Sequence, residues 1–436
     1  MTAEIAVYNK SGVALAADSA VTISQNESSK IYNGAEKLFA LTKHHPVGIM
    51  VNGSGALCGV PWEMIIKEYR KHLGIKSFDR IDEYASDFFQ FIEDSNLLIP
   101  SDFRENFLYQ LYEEILEQAA NLVESQSEYS EHIENLSTPP MELIISLFVK
   151  VFDAMISGME KRDFLQNFSD EDFSDIMDDI PEILDLIIND YLEDYIQDGM
   201  MVTSDFKKKF EQLCCIATTK LIPTIQNAGV IFAGYGDKEF FPVIKSFNVQ
   251  GFFHSKVRYS IQNSKCVSSP GESGIIPYAQ EEEVASFITG TTPNIKNKFL
   301  DEIKNSISKI AGHISKELSN IGVEPDVQDQ FHSDILKISV EECENIYNNV
   351  DSWVKREYTQ PIVDMVQHLP KEEMANMAES LVNLSAFRRK VTNQQETVGG
   401  PIDVAIISKG DGFIWYKRKH YFQKELNLHY FNEIKQ

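Results

Sequence analysis

Strand-like and helix-like stretches do not intermingle along this chain. They come in blocks, and the order of the blocks limits the folds open to it. Residues 1–57 read as short strands and turns: AEIAVYN, the NKSG turn, VALAAD and VTIS, then EKLFALT and PVGIMVNG on either side of a polar Lys43-His44-His45 turn. From Pro61 the apolar spacing turns helical, with PWEMIIKEYRKHLG closed by a glycine. Residues 80–200 continue as amphipathic helices punctuated by Pro139-Pro140 and Pro181. Strand character returns at VIFAGYG and FFPVIKSFNVQGFFHSKVRYSI, followed by SGIIPYAQ and a helix start at EEEVASFITG. Residues 296–390 are helical again, and DVAIISK and FIWYKRKHYF close the chain as a hairpin across a DG turn. Strands at both ends and in the middle, with helices between, predict one α+β sheet core carrying two mostly helical insertions.

Charge divides the chain along the same lines. The 436 residues carry a formal net charge of −26. Residues 81–200 hold 30 Asp or Glu against Arg104, Lys150, Lys161 and Arg162, so this segment alone accounts for the whole imbalance. Neither the acidic segment nor the neutral remainder offers the basic footprint that nucleic acid needs. No apolar run reaches the roughly 18–20 residues of a membrane span. The N-terminus lacks the basic and apolar regions of a secretory signal, so a cytoplasmic protein is expected. Cys58, Cys214, Cys215, Cys266 and Cys343 are odd in number and scattered, which fits reduced thiols rather than a disulfide frame or a zinc site.

Most candidate chemistry dissolves on inspection. There is no HExxH, P-loop or GxGxxG. His44-His45 has no further ligand at metal spacing and fits a solvated turn. SDEDFSDIMDD (169–179) lacks the central Gly and closing Glu of a calcium loop, and fits an acidic helix face. Glu281-Glu282-Glu283 suits a helix N-terminus electrostatically. No cofactor and no metal is implied.

Thr2 is different. Removal of Met1, which a small second residue permits, would leave an α-amine beside a β-hydroxyl on one residue. Such an amine has a pKa of about 7.7–8.0 and can take the hydroxyl proton near neutrality, a recognised activated nucleophile. Four landmarks follow: Asp18 within Ala16-Ala17-Asp18-Ser19, with Thr22 beyond; Lys30-Ile31; Gly53 in PVGIMVNGSGAL, with Gly55 as the alternative; and Gly399-Gly400 before the closing hairpin. Each alone fits an ordinary role: a turn cap, a solvated lysine, turn glycines. In this order and spacing they resemble the N-terminal nucleophile hydrolases, specifically proteasome β subunits and the bacterial HslV peptidase. VIFAGYG resembles that family's AG-aromatic strand.

The resemblance implies a four-layer αββα sandwich. Residues 1–75, 225–295 and 391–436 would form its core, with an acidic helical insertion at 76–224 and a second at 296–390. It implies that Thr2 is the nucleophile, that Lys30 lowers the proton affinity of its hydroxyl and amine, and that Asp18 holds Lys30. It also implies that the Gly53 N–H stabilises the oxyanion and that Ser273, before Gly274, supports the nucleophile. Two departures stand out. Val398 occupies the place of the family's serine before Gly399-Gly400, and Gln395 or Glu396 stands near its aspartate. The implied activity is amide-bond hydrolysis of peptide or protein substrates in a homo-oligomer, with Val51 and Gly55 pointing to an apolar substrate side chain. The competing reading is an inactive scaffold or sensor on the same fold, whose acidic insertion binds a basic protein.

Overall fold

In a computed structural model, the described residues are 3–25, 28–42, 44–134, 139–193, 203–222, 227–266, 272–279, 281–392 and 398–427. The chain opens with β1 (Glu4–Asn9), β2 (Gly12–Ala17), β3 (Ala20–Gln25), β4 (Ser28–Asn33), β5 (Leu38–Ala40) and β6 (Val47–Gly53). Two-residue strands β7 (Ala56–Leu57) and β8 (Val60–Pro61) lead into α1 (Trp62–Leu73), α2 (Ile81–Asp94), α3 (Ser101–Glu124), α4 (Ser127–Glu134), α5 (Met141–Met159), α6 (Asp172–Glu193) and α7 (Ser204–Thr219). Next come β9 (Ala228–Gly234), β10 (Val243–Phe253), β11 (Lys256–Cys266) and β12 (Gly274–Pro277). Helices α8 (Glu281–Thr289), α9 (Pro293–Asn320), α10 (Pro325–Val354), a π-helical turn at Lys355–Thr359, α11 (Gln360–His368) and α12 (Lys371–Val391) precede β13 (Asp403–Ser408) and β14 (Gly412–Lys417). The fold is α+β. Among the described residues no helix is long and apolar enough to cross a membrane.

The chain forms two compact units. The first comprises Met1–Leu38 and Val267–Gln436. Its sheet is antiparallel in the order β12-β1-β2-β13-β14. Alternation places Ile5, Val7, Ala14, Ala16 and Val404 on the face that meets Met374, Ala378, Leu381 and Val382 of α12. Ala14 and Ala16 on β2 let that helix lie close. Helix α12 is also set up electrostatically, with Glu372 and Glu373 in its first turn and Arg388, Arg389 and Lys390 in its last. The second helical block is therefore not uniform: α11 and α12 cover the sheet, whereas α9 packs chiefly on α10.

The second unit, Phe39–Cys266, has an antiparallel sheet in the order β11-β10-β9-β6-β5. Here α1 and α2 bury an aromatic core, including Trp62, Tyr69, Phe88, Phe89, Phe232 and Phe247. Helices α3 to α7 have their own core around Tyr112, Phe148, Phe152, Phe206 and Phe210. Pro181, read as punctuation, lies inside α6, which runs through it. Arg258 of β11 is fully buried and donates to the Ala217 and Thr218 carbonyls at 2.7 and 2.8 Å, satisfying the C-terminal end of α7. Burial lowers its pKa to about 10.

Candidate active site

In the first unit the β1–β2 hairpin ends where the chain must turn, and Asp18 sits at that point with no solvent exposure. Its Oδ1 accepts from the Ala3 amide at 3.2 Å and from Lys37 Nζ. Its Oδ2 accepts from the Ala20 amide at 3.3 Å and the Gly399 amide at 3.0 Å. The Asp18 amide in turn donates to the Ala3 carbonyl at 3.1 Å. Four donors offset the desolvation of a buried carboxylate. They also tie together three distant pieces of chain: the start of β1, the loop after β4, and the Gly399-Gly400 turn. Thr2 lies outside the described residues. The amide that follows it in the chain, that of Ala3, is the one held by Asp18.

The lysine that meets Asp18 is Lys37. Lys30 sits on β4 opposite Ile23 and is exposed to solvent. After β4 the Gly34 and Ala35 amides donate to the Ser19 carbonyl at 2.9 and 3.2 Å, which turns the chain back beneath β2 and delivers Lys37 to the carboxylate. Lys37 is 6% exposed and forms a second ion pair, 3.3 Å, with the fully buried Glu4. Both residues escaped the sequence reading. Lys37-Leu38 satisfies the same pattern as Lys30-Ile31, a lysine before an apolar residue, after a longer loop.

The glycine pair has a structural reason. Gly400 has φ +77, and a Cβ there would lie 2.9 Å from Asn33 Cβ, so the turn that aims the Gly399 amide at Asp18 needs a residue without a side chain. Ser19 closes the same turn: its hydroxyl donates to the Pro401 carbonyl and its amide to the Gly399 carbonyl. Val398 is buried in the sheet–helix core. Ser273 lies elsewhere. Its hydroxyl donates to the Val363 carbonyl at 2.8 Å, and the neighbouring Gly274 pairs with Tyr8 at the far end of β1. Five residues of strand, about 16 Å at the usual rise, separate Tyr8 from Ala3. Ser273 therefore anchors β12 to α11 and is not among the partners of Asp18 or Lys37.

Gly53 belongs to the second unit. It ends β6 with φ +72, paired with Ala228, and a Cβ there would lie 2.5 Å from the Asn227 carbonyl oxygen. A cavity of about 690 Å³ begins at the next residue, Ser54, and is walled by Cys58, by Val249–Gly251 of β10 and by Phe107 and Glu114 of α3. Gln250 is buried against it. Its Nε2 donates to the Ile222 carbonyl at 2.8 Å, while Oε1 accepts no hydrogen bond among the described residues. Burial pushes the Cys58 thiol up to about 12 and raises the Glu114 carboxyl. His44 and His45 donate their amides to Thr42 Oγ1, an ordinary turn. No cluster of three metal-ligating side chains occurs among the described residues.

No family model matches this chain, and no curated protein matches it. Among solved structures it is similar to the Anbu (Gly-1) mutant from Hyphomicrobium sp. strain MC1, at 10% identity over 100% of this chain and 96% of that one, with a TM-score of 0.28. It is also similar to Anbu (ancestral beta-subunit) from Yersinia bercovieri, at 9% identity over 99% and 95%, with a TM-score of 0.27. Overlaps this loose carry no argument about the chain, and what the site can do follows from its own residues.

Proposed function

We propose that this chain is a proteasome-like N-terminal nucleophile hydrolase, a four-layer sandwich in which Thr2, freed by removal of Met1, cleaves amide bonds of peptide or protein substrates. The observation that carries this reading is the buried Lys37, held between Asp18 and Glu4, with Asp18 also gripping the amide that follows Thr2. Lys37 takes the role that the sequence pattern gave to Lys30. Its charge favours the deprotonated forms of the Thr2 hydroxyl and amine.

The steps then balance without a cofactor. The neutral α-amine accepts the Thr2 hydroxyl proton as Oγ1 bonds to the substrate carbonyl carbon, and the Gly53 N–H stabilises the oxyanion. The amine returns that proton to the leaving nitrogen as the C–N bond breaks, leaving an ester on Thr2. Water, deprotonated by the same amine, attacks the ester. The carboxylic acid product departs as the amine returns the proton to Oγ1, and then ionises in solvent.

A second reading has its own support. Val398 replaces a hydroxyl residue and Ser273 stands at the wrong end of β1, which fits an inactive scaffold whose acidic 81–200 segment recruits a basic protein. One experiment separates the two. Intact-mass analysis of purified protein treated with a peptide epoxyketone should show a chain lacking Met1 and one adduct on Thr2, absent in Thr2→Ala. A retained Met1, or an unmodified Thr2 at saturating reagent, supports the scaffold.

A further inference from the structure

Helices α9 and α10 form an antiparallel hairpin whose buried seam includes Ala311 on one side and Ser339 and Cys343 on the other. The seam uses only part of the apolar surface. On α9, Phe299, Ile310 and Ile314 are all exposed, and at 3.6 residues per turn they fall within about 60° of arc. On α10, Val327, Phe331 and Ile338 are exposed within about 40°. Each stripe precedes its own seam by roughly a quarter turn in the direction of the helix. Because the helices run in opposite directions, the same offset on both puts the two stripes on one broad face. The Lys296–Asp351 ion pair, 3.5 Å, fixes the register. It brings Ile314 level with Phe331 and Ile310 with Ile338, each to within about one turn.

We propose that this face docks the same face of a second copy of the chain, completing an all-antiparallel four-helix bundle. Two observations select a second copy. The first is charge. Helix α9 carries five lysines against three acids, and α10 seven acids against one lysine. A two-fold axis parallel to the hairpin lays α9 of one copy beside α10 of the other, antiparallel, with Lys309 and Lys316 level with Glu341 and Asp334 across the contact. The second is size. Helices of 28 and 30 residues are about 42–45 Å long, and two lying side by side present about 800 Å², the area that each partner of a stable interface buries. The packing is that of antiparallel four-helix bundles. None of this depends on Thr2 being active.

The test uses the full chain in sedimentation velocity across 0.1–100 μM, concentrations on the order of ordinary dimer affinities. Wild type should dimerise. Ile310→Glu with Phe331→Glu, both at exposed positions, should raise the dissociation constant about a hundredfold or more. Lys309→Glu/Lys316→Glu and Asp334→Lys/Glu341→Lys should each weaken self-association, and an equimolar mixture of the two should associate as heterodimers. Carbodiimide treatment should join Lys309 to Glu341 between copies. The two residues point away from each other within one hairpin, so this link reports the intermolecular contact. A wild type that stays monomeric at the highest concentration overturns the proposal. So does self-association that the Ile310/Phe331 variant leaves unchanged.

Discussion

The two five-stranded sheets share an architecture and differ in chemistry. The sheet of the second unit is backed by packed aromatic rings, and Phe88, for instance, meets Tyr69 at 5.0 Å and Phe232 at 5.5 Å between centroids, both edge to face. The sheet of the first unit meets its helices through aliphatic residues such as Ile5, Val7, Ala14, Ala16 and Val404, and at one end it buries Glu4, Asp18 and Lys37 together. A sheet needs none of those charges to be stable. Their presence at the end of β1 that adjoins Thr2 marks a place where the chain gives up apolar packing for a polar cluster.

Substitutions can break that contrast. Lys37→Ala leaves two buried carboxylates without their cation and should cost about 3–5 kcal/mol. Phe88→Ala should cost a similar amount, about 3–5 kcal/mol, by opening a cavity in the aromatic layer. Urea denaturation should detect both, and a neutral Lys37→Ala would mean that the cluster is not a buried ion network. Cys58 probes the second unit chemically. A thiol held near 12 by burial, against an ordinary 9, is about a thousandfold less ionised at pH 8. Its alkylation by iodoacetamide in the native protein should therefore be slower by about that factor, and should rise about tenfold for each pH step up to the thiol pKa. Free-thiol reactivity at pH 8 would contradict the burial. Gly400→Ala should cost about 1–3 kcal/mol, because the turn holds φ +77 against Asn33 and keeps the Gly399 amide on Asp18. Lys30→Ala, at an exposed strand position, should stay within about 0.5 kcal/mol.

Much of the first unit is legible in the sequence. The β1–β2 hairpin can be read from local rules of turn and alternation, and Asp18 and the glycine pair from the family resemblance. The lysine cannot. Which of two lysines reaches Asp18 is decided by where the chain turns back after β4, through the Gly34 and Ala35 amides on the Ser19 carbonyl, a contact between loops that no periodicity encodes. Helix α12 is hidden for a related reason. Its apolar stripe resembles those of the inserted helices, and only Ile5 and Val7 of β1 and Ala14 and Ala16 of β2 facing it show that it belongs to the sheet. Ser273 precedes a glycine as expected, yet pairing with the wrong end of β1 gives it a structural hydrogen bond instead.

The central claim is that Lys37, held by Asp18, serves a nucleophile at Thr2. The direct measurement is the rate of epoxyketone adduct formation on Thr2, by intact mass, in wild type, Lys37→Ala and Lys30→Ala, with folding of each verified by circular dichroism. Loss of the adduct in Lys37→Ala, with Lys30→Ala within about twofold of wild type, is the predicted result. Retained labelling in a folded Lys37→Ala, or loss in Lys30→Ala, would contradict it.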